Sequence, residues 1–216
     1  MIENSTPARP TWREIIQELA HQATLSEARL RWGTDELAFN YRWEHVQAVV
    51  RLAVRLAELT GADREVVEAA AWLHDVAKRG KDDDHGREGA IAACQILTQT
   101  NFPPQKIKAV ADAIAKHVGL FTDEPVEPLE AAVLWDADKL SKLGATAVLH
   151  FTGYSIQKGQ GDTEHQLETW PRQPWQSETV RSFHTAPARA AGQKRLDVYQ
   201  AFWEQAAREF DGDDLL

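Results

Sequence analysis

Cysteine is almost absent. The single Cys94 excludes an internal disulfide. Set in the apolar run AIAACQIL, with no electropositive neighbour in sequence, it is expected to be a small buried hydrophobe and not a thiol nucleophile. Basic residues are outnumbered: 24 Lys and Arg face 33 Asp and Glu, for a formal charge of −9. They form no stripe with interleaved aromatics, so duplex nucleic acid is not an expected partner. No run approaches the roughly 18 apolar residues that a membrane span needs, and MIENSTPARPTW lacks the basic-then-apolar layout of a signal peptide. The chain is therefore expected to be cytoplasmic. Sustained period-two alternation is missing as well, which argues against a sheet.

What is present is a globular composition, 43% hydrophobic with both charge signs mixed through 216 residues, and one compact unit is expected. Apolar residues recur at three-to-four spacing, so the fold class is all-α. Thr11-Trp12-Arg13-Glu14 has the form of a capping box opening a helix to about Gln22, and a second short helix is expected over Ser26 to Trp32. A helix from about Asn40 to Leu59 stops at Gly61, and Asp63 caps the next, DREVVEAAAWLHDVAK. The polar loop RGKDDD, with its Asp82 to Asp84 triplet read as solvated, leads to a helix over His85 to Thr98. Pro103-Pro104 opens another to about His117, and Pro128 opens one that runs to Gly144. The helical pattern continues to about Tyr154. Ser155 to Gln176, rich in Gly, Pro and polar residues, reads as an insertion or lid, and Pro187 to Phe210 as a long amphipathic helix.

A His-Asp dipeptide carries little weight alone, because eight histidines and fifteen aspartates in this chain produce about 0.6 of them by chance. Here the pair His74-Asp75 closes an apolar helix as AWLHDVAK, His45 stands on the preceding helix, and Asp138 follows in WDADKL. A charged helix end next to so apolar a run needs a reason to be buried.

With these residues the sequence resembles the HD superfamily of metal-dependent phosphohydrolases, from about Tyr41 to Tyr154. The resemblance implies an HD-domain helical bundle over residues 40–154. An N-terminal helical segment, 1–39, would pack on it, and 155–216, the insertion or lid and the C-terminal helix, would extend the same compact unit. It also implies that His45, His74, Asp75 and Asp138 are metal ligands. The segments HDVAK, DHGREGA and AIAKHV resemble small bacterial HD hydrolases with two further histidines, which match His85 and His117. In such relatives these help to hold a second ion with the Asp of the pair bridging, so one or two ions per chain are implied.

Imidazole with carboxylate suits Mn, Fe, Co, Ni or Zn, whereas an all-oxygen shell suits Mg or Ca. Such ions polarise a phosphoryl oxygen and acidify a bound water, so no serine or cysteine nucleophile is required. The expected catalytic residues are Asp75 and Lys78, and the expected substrate is a nucleotide or other small phosphorylated metabolite. Substrate-binding candidates are Lys78, Arg79, Arg87, Arg181 and His184, with Lys81 nearby and Lys139 and Lys142 as weaker ones. Arg181 and His184 enter because VRSFHTAPAR resembles a segment that follows the insertion in some small HD proteins. Specificity is assigned to the Ser155 to Gln176 insertion and the cleft walls. Asp136, two residues from Asp138, is expected at the surface or behind the ligands, and Trp43, Trp72 and Trp135 as packing around the cleft. His21, His150 and His165 receive no role. Two rival functions use the same ligands: a di-iron HD oxygenase and a non-catalytic module that senses a nucleotide.

Overall fold

In the computed structural model, which describes residues 10–80, 84–171 and 173–215, all regular structure is helical. The first helix, α1 (Trp12–Trp32), carries the expected capping box: the Glu14 N–H donates to Thr11 Oγ1 and the Thr11 N–H to Glu14 Oε2 at 2.6 Å. It is one continuous helix, not the two expected. The residues that suggested a break are absorbed, since the Thr24 hydroxyl donates to the His21 carbonyl and the Ser26 hydroxyl to that of Gln22. Gly33, at φ 75°, ends it.

Helices α2 (Tyr41–Thr60) and α3 (Arg64–Leu73) begin at the side-chain caps Asn40 and Asp63. After α4 (His85–Thr98), a 3₁₀ turn at Pro104–Lys106 leads into α5 (Ile107–Ala115), and α6 (Leu129–Leu140) follows Pro128. Three helices end earlier than their apolar pattern predicts. Helix α3 stops before His74 and does not run through Lys78; α5 stops before His117; α6 stops before Ser141 and does not reach Gly144.

Helix α3 lies at the centre. Val66, Val67, Ala69, Ala70, Ala71 and Leu73 are buried, and α2, α5, α6 and α1 pack around it. Its alanines allow close approach, while Val49, Leu97, Val110, Ile114, Leu134 and Leu140 fill the same core. Each buried side chain of that size contributes about 1.5–3 kcal/mol. Helix α6 is buried from Ala131 to Leu140, so its charged residues Asp136, Asp138 and Lys139 must all find partners inside.

Helix α7 (Ala145–Gln157) and the long α10 (Ala186–Asp211) share a second, aromatic cluster built on Phe151, Tyr199 and Trp203. The expected lid is two helices, α8 (Thr163–Thr169) and α9 (Pro174–Arg181), docked on that cluster. Trp170 stacks on Phe151 with ring centroids 4.5 Å apart, donates to Ser155 Oγ at 2.9 Å, and accepts at its carbonyl from the Tyr199 hydroxyl. Phe183, Ala188 and Leu196 reach back into the main core. Cys94, expected to be buried, is half-exposed and free.

Candidate metal centre

His74, Asp75 and His117 follow the ends of α3 and α5, His85 begins α4, and His45 and Asp138 lie within the early turns of α2 and the last turn of α6. His74 and His117 follow the last residues of α3 and α5, and each turns its ring back onto its own helix. His74 Nδ1–H donates to the Ala71 carbonyl at 2.7 Å, and His117 Nδ1–H to that of Ile114 at 2.6 Å. Those carbonyls belong to last helical turns, where the i+4 donor is lost. At each early helix end the ring N–H caps the helix and fixes the tautomer, leaving Nε2 as a lone pair aimed at the cleft.

His45, in the first turns of α2, achieves the same through a hydroxyl. Ser141 Oγ donates to the Asp138 carbonyl at 2.7 Å, so its lone pair accepts His45 Nδ1–H at 3.0 Å. His45 Nε2 then faces Asp138 Oδ1 at 3.1 Å and His74 Nε2 at 3.4 Å. On the other side of His74, its Nε2 is 3.4 Å from Asp75 Oδ2, and His117 Nε2 is 3.7 Å from Asp75 Oδ1. Two adjoining triads result, His45–His74–Asp138 and His74–Asp75–His117, each with donor atoms within 4.8 Å of one another. All five side chains are buried.

Protonation states suit a cation. Burial depresses His45 to about 3, helped by Lys142, and depresses His117 to about 4, so both rings are neutral. For Asp138, burial pushes the pKa up, but Lys139 and Lys142 outweigh it and hold the carboxylate well below its ordinary value. For Asp75 the upward push of burial is likewise overcome, chiefly by the Arg42 guanidinium, which holds the carboxylate well below its ordinary value. Neutral imidazoles beside ionised carboxylates, with their outer ring nitrogens already satisfied, fit a divalent transition metal.

His85 opens α4 and brings Nε2 to 3.6 Å from Asp75 Oδ1, while its Nδ1 lies 3.1 Å from Lys78 Nζ. It is at the cleft but in neither triad. The cleft has a volume of about 430 Å³, and its lining includes Arg31, Arg42, Lys78, Lys142, Tyr41 and Glu27.

Of the substrate-binding candidates among the described residues, Lys78 lines this cleft. Arg79 and Arg87 are absent from its lining, and Arg87, exposed, pairs with Asp84. Arg181 lies exposed over the Phe121 ring. His184 lines a separate cavity with Leu59, Val126 and Thr185, because the α9–α10 turn carries it away. Lys81 and residues 82–83 lie outside the described residues. Lys139 and Lys142 do not offer their charge to a ligand: both ammonium groups donate to Asp138, and Lys139, wholly buried, also holds the His117 carbonyl and lies 3.8 Å from the Trp135 ring centre. Asp136 is neither at the surface nor at the ligands, since it accepts the backbone N–H groups of His184 and Thr185 at 2.9 and 2.7 Å and so anchors the start of α10. Among the described residues, none of the 155–176 segment lines the cleft, and of the two expected sources of specificity only the cleft walls adjoin it.

Two contributors escaped sequence reasoning. Arg42 is one helical turn before His45, on the same face of α2, and that i, i+3 spacing was a usable signal. Ser141 stands three residues after Asp138, the same i−3 relation to a terminal carbonyl that His74 and His117 show.

Residues 42–143 match the family model for the HD domain. In sequence the chain is 26% identical to the protein YpgQ of Bacillus subtilis, over 59% of this chain and 63% of that protein. It is 31% identical to a tRNA (cytidine(56)-2'-O)-methyltransferase of Picrophilus torridus, over 39% of this chain and 23% of that enzyme. The matched region thus spans less than two thirds of either relative. Among solved structures, a predicted HD superfamily hydrolase from an uncultured Thermotogales bacterium superposes with a TM-score of 0.62 at 21% identity, covering 90% of this chain and 91% of the other. YpgQ in complex with ADP superposes with a TM-score of 0.60 at 21% identity, covering 90% and 97%. At these identities the structural likeness establishes the fold.

Proposed function

Because residues 42–143 match the family model for the HD domain, we propose that this chain is an HD-family metal-dependent phosphohydrolase. The bond cleaved is a phosphate ester or anhydride of a nucleotide or small phosphorylated metabolite. The observation that carries this reading is the convergence of three imidazole Nε2 atoms on two ionised carboxylates, each outer ring nitrogen being already satisfied by the protein.

His45, His74, Asp75, His117 and Asp138 are the proposed ligands, and His85 is the proposed addition for a second ion. Bound there, Mn, Fe, Co, Ni or Zn supplies Lewis acidity toward a phosphoryl oxygen and a water acidic enough to attack near neutral pH. The chain's own residues hold that chemistry in place. Lys139 and Lys142 fix the Asp138 carboxylate, Ser141 fixes His45, and the helix-end carbonyls fix His74 and His117. Lys78 and Arg42 place positive charge in a cleft that would otherwise repel an anionic substrate. The ADP complex of YpgQ supports a nucleotide as ligand class.

The test is a phosphate-release screen across nucleoside mono-, di- and triphosphates and simple phosphate esters. Protein stripped by chelation is compared with the same protein refilled with each of the five metals. Release that disappears on stripping and returns with one of them supports the proposal. A refilled protein that releases nothing from any of these substrates contradicts it.

A further inference from the structure

On the α1 side of the cleft, two polar groups have unmet hydrogen-bonding capacity among the described residues. Glu27 is 7% exposed; its Oε1 accepts Arg31 Nη1 at 3.2 Å, while its Oε2 accepts no hydrogen bond among them. Tyr41, the first residue of α2, lays its ring parallel to that of His45, with centroids 6.0 Å apart, and packs against Phe151 and Tyr154. Its hydroxyl makes no hydrogen bond among the described residues. Both side chains line the metal cleft, and both also border a side recess of about 10 Å³ walled by Trp32, Phe39 and Tyr154. So small a space admits one water-sized group and no ring. A phosphoryl group is disfavoured there, because Glu27 would repel it. Arg31 is already engaged, since it holds Glu27 and lies over the Trp32 and Tyr154 rings at 5.5 and 5.7 Å. The recess therefore suits a small neutral group that donates to a carboxylate and accepts from a phenol. A hydroxyl does both, whereas an amino group of an amide only donates.

We propose that Glu27 and Tyr41 form a subsite for a sugar hydroxyl of the substrate, and that this wall of the cleft sets specificity. The proposal deepens the hydrolase reading and rests on it for the phosphoryl end of the ligand. The recess and the ligand cluster adjoin one cleft of about 430 Å³, so one molecule spans both: a pentose phosphate, alone or within a nucleotide. Glu27 and Tyr41 also lie outside residues 42–143, the part that matches the HD-domain model. The groups that discriminate between substrates are thus separate in sequence from those that hold the metal.

The probes are ADP with its 2′-deoxy and 3′-deoxy forms, and ribose 5-phosphate with 2-deoxyribose 5-phosphate. Each is titrated calorimetrically into Mn²⁺-loaded wild type, Glu27→Gln and Tyr41→Phe, and kcat/KM replaces affinity for any compound that is turned over. Both substitutions keep side-chain shape, and Tyr41→Phe keeps the ring against His45. Wild type is expected to favour the hydroxylated member of at least one pair by about tenfold or more. Tyr41→Phe is expected to shrink that ratio by about threefold or more, and Glu27→Gln, which removes a charged acceptor, by about tenfold. The readout is the ratio within a pair, which a structural defect that weakens both members together does not move. Discrimination confined to the nucleotides assigns the hydroxyl to a nucleoside, and discrimination between the sugar phosphates as well assigns it to a pentose phosphate in general. The inference is overturned if wild type binds none of these compounds, if it binds hydroxylated and deoxy members alike, or if either variant keeps the wild-type ratio. Failure of the hydrolase reading looks different: no phosphate compound is turned over, yet the affinities still discriminate and both variants still shrink the ratio.

Discussion

Ser141 Oγ lies 3.0 Å from His45 Nδ1 and gives its own proton to the Asp138 carbonyl at 2.7 Å, so one hydroxyl aligns a ligand candidate from α2 with one from α6. Ser141→Ala leaves the His45 N–H without an acceptor. Partners of this kind typically contribute 10–100-fold to metal affinity, and Ser141→Ala is expected to bind Mn²⁺ weaker by about that factor in a chelator-competition titration. Ser141→Thr, which retains the hydroxyl, should stay near wild type. An unchanged affinity in Ser141→Ala would mean that the His45 tautomer is set by something else.

The buried histidines make the metal-free protein acid-sensitive. Burial lowers His45 to about 3 and His117 to about 4, against about 6.5 in an unfolded chain. Between about pH 6.5 and 4 the unfolded state binds protons that the folded state refuses, so stability is fully present above about 6.5 and is lost as pH falls. Each group contributes a slope approaching about 1 kcal/mol per pH unit in that window. Urea denaturation of stripped protein at several pH values measures it. His117→Gln should flatten the slope, and equal slopes in the two proteins would count against neutral burial of that ring.

The fold was legible where local chemistry decides it. The Thr11 capping box, the Asp63 cap and the Gly61 stop all stand where the sequence places them. Helix ends next to the ligand candidates were not legible, because apolar periodicity runs on through AWLHD and AIAKH while the His ring itself supplies the terminal hydrogen bond. His45, His74, Asp75, His117 and Asp138 were marked by sequence and are brought together. The roles of the charges around them were not readable, since Lys139 and Lys142 follow Asp138 in sequence yet spend their charge on it, and Arg42 is informative only once α2 is folded against Asp75. His184 and Arg181 entered through a motif, whereas their placement away from the cleft lining depends on how α9 turns into α10, a long-range contact set by Asp136.

That same contact bears on residues 155–216, which we propose unfold together with the HD domain. Gly192 on α10 sits so close to Phe183 that an added Cβ would lie 2.3 Å from the ring, and Phe183 is 4% exposed within the main core. Gly192→Ala gains about 1 kcal/mol of helix propensity but overpacks the core at a cost of about 1–3 kcal/mol. So short a contact with a buried ring makes the loss exceed the gain. A single urea transition moved to lower concentration is expected. A separate early transition, confined to the C-terminal helix, would show it to be an independent unit.

The proposed dependence of catalysis on a metal held by the His and Asp cluster is tested most directly by counting metal equivalents and measuring phosphate release in the same preparations of wild type and Asp75→Ala. Asp75 lies within 4 Å of His45, His74, His85 and His117. Bound transition metal and turnover are expected in wild type, with both reduced by at least about tenfold when this ligand is removed. Wild type that binds no metal, or Asp75→Ala that hydrolyses as fast as wild type, would contradict it.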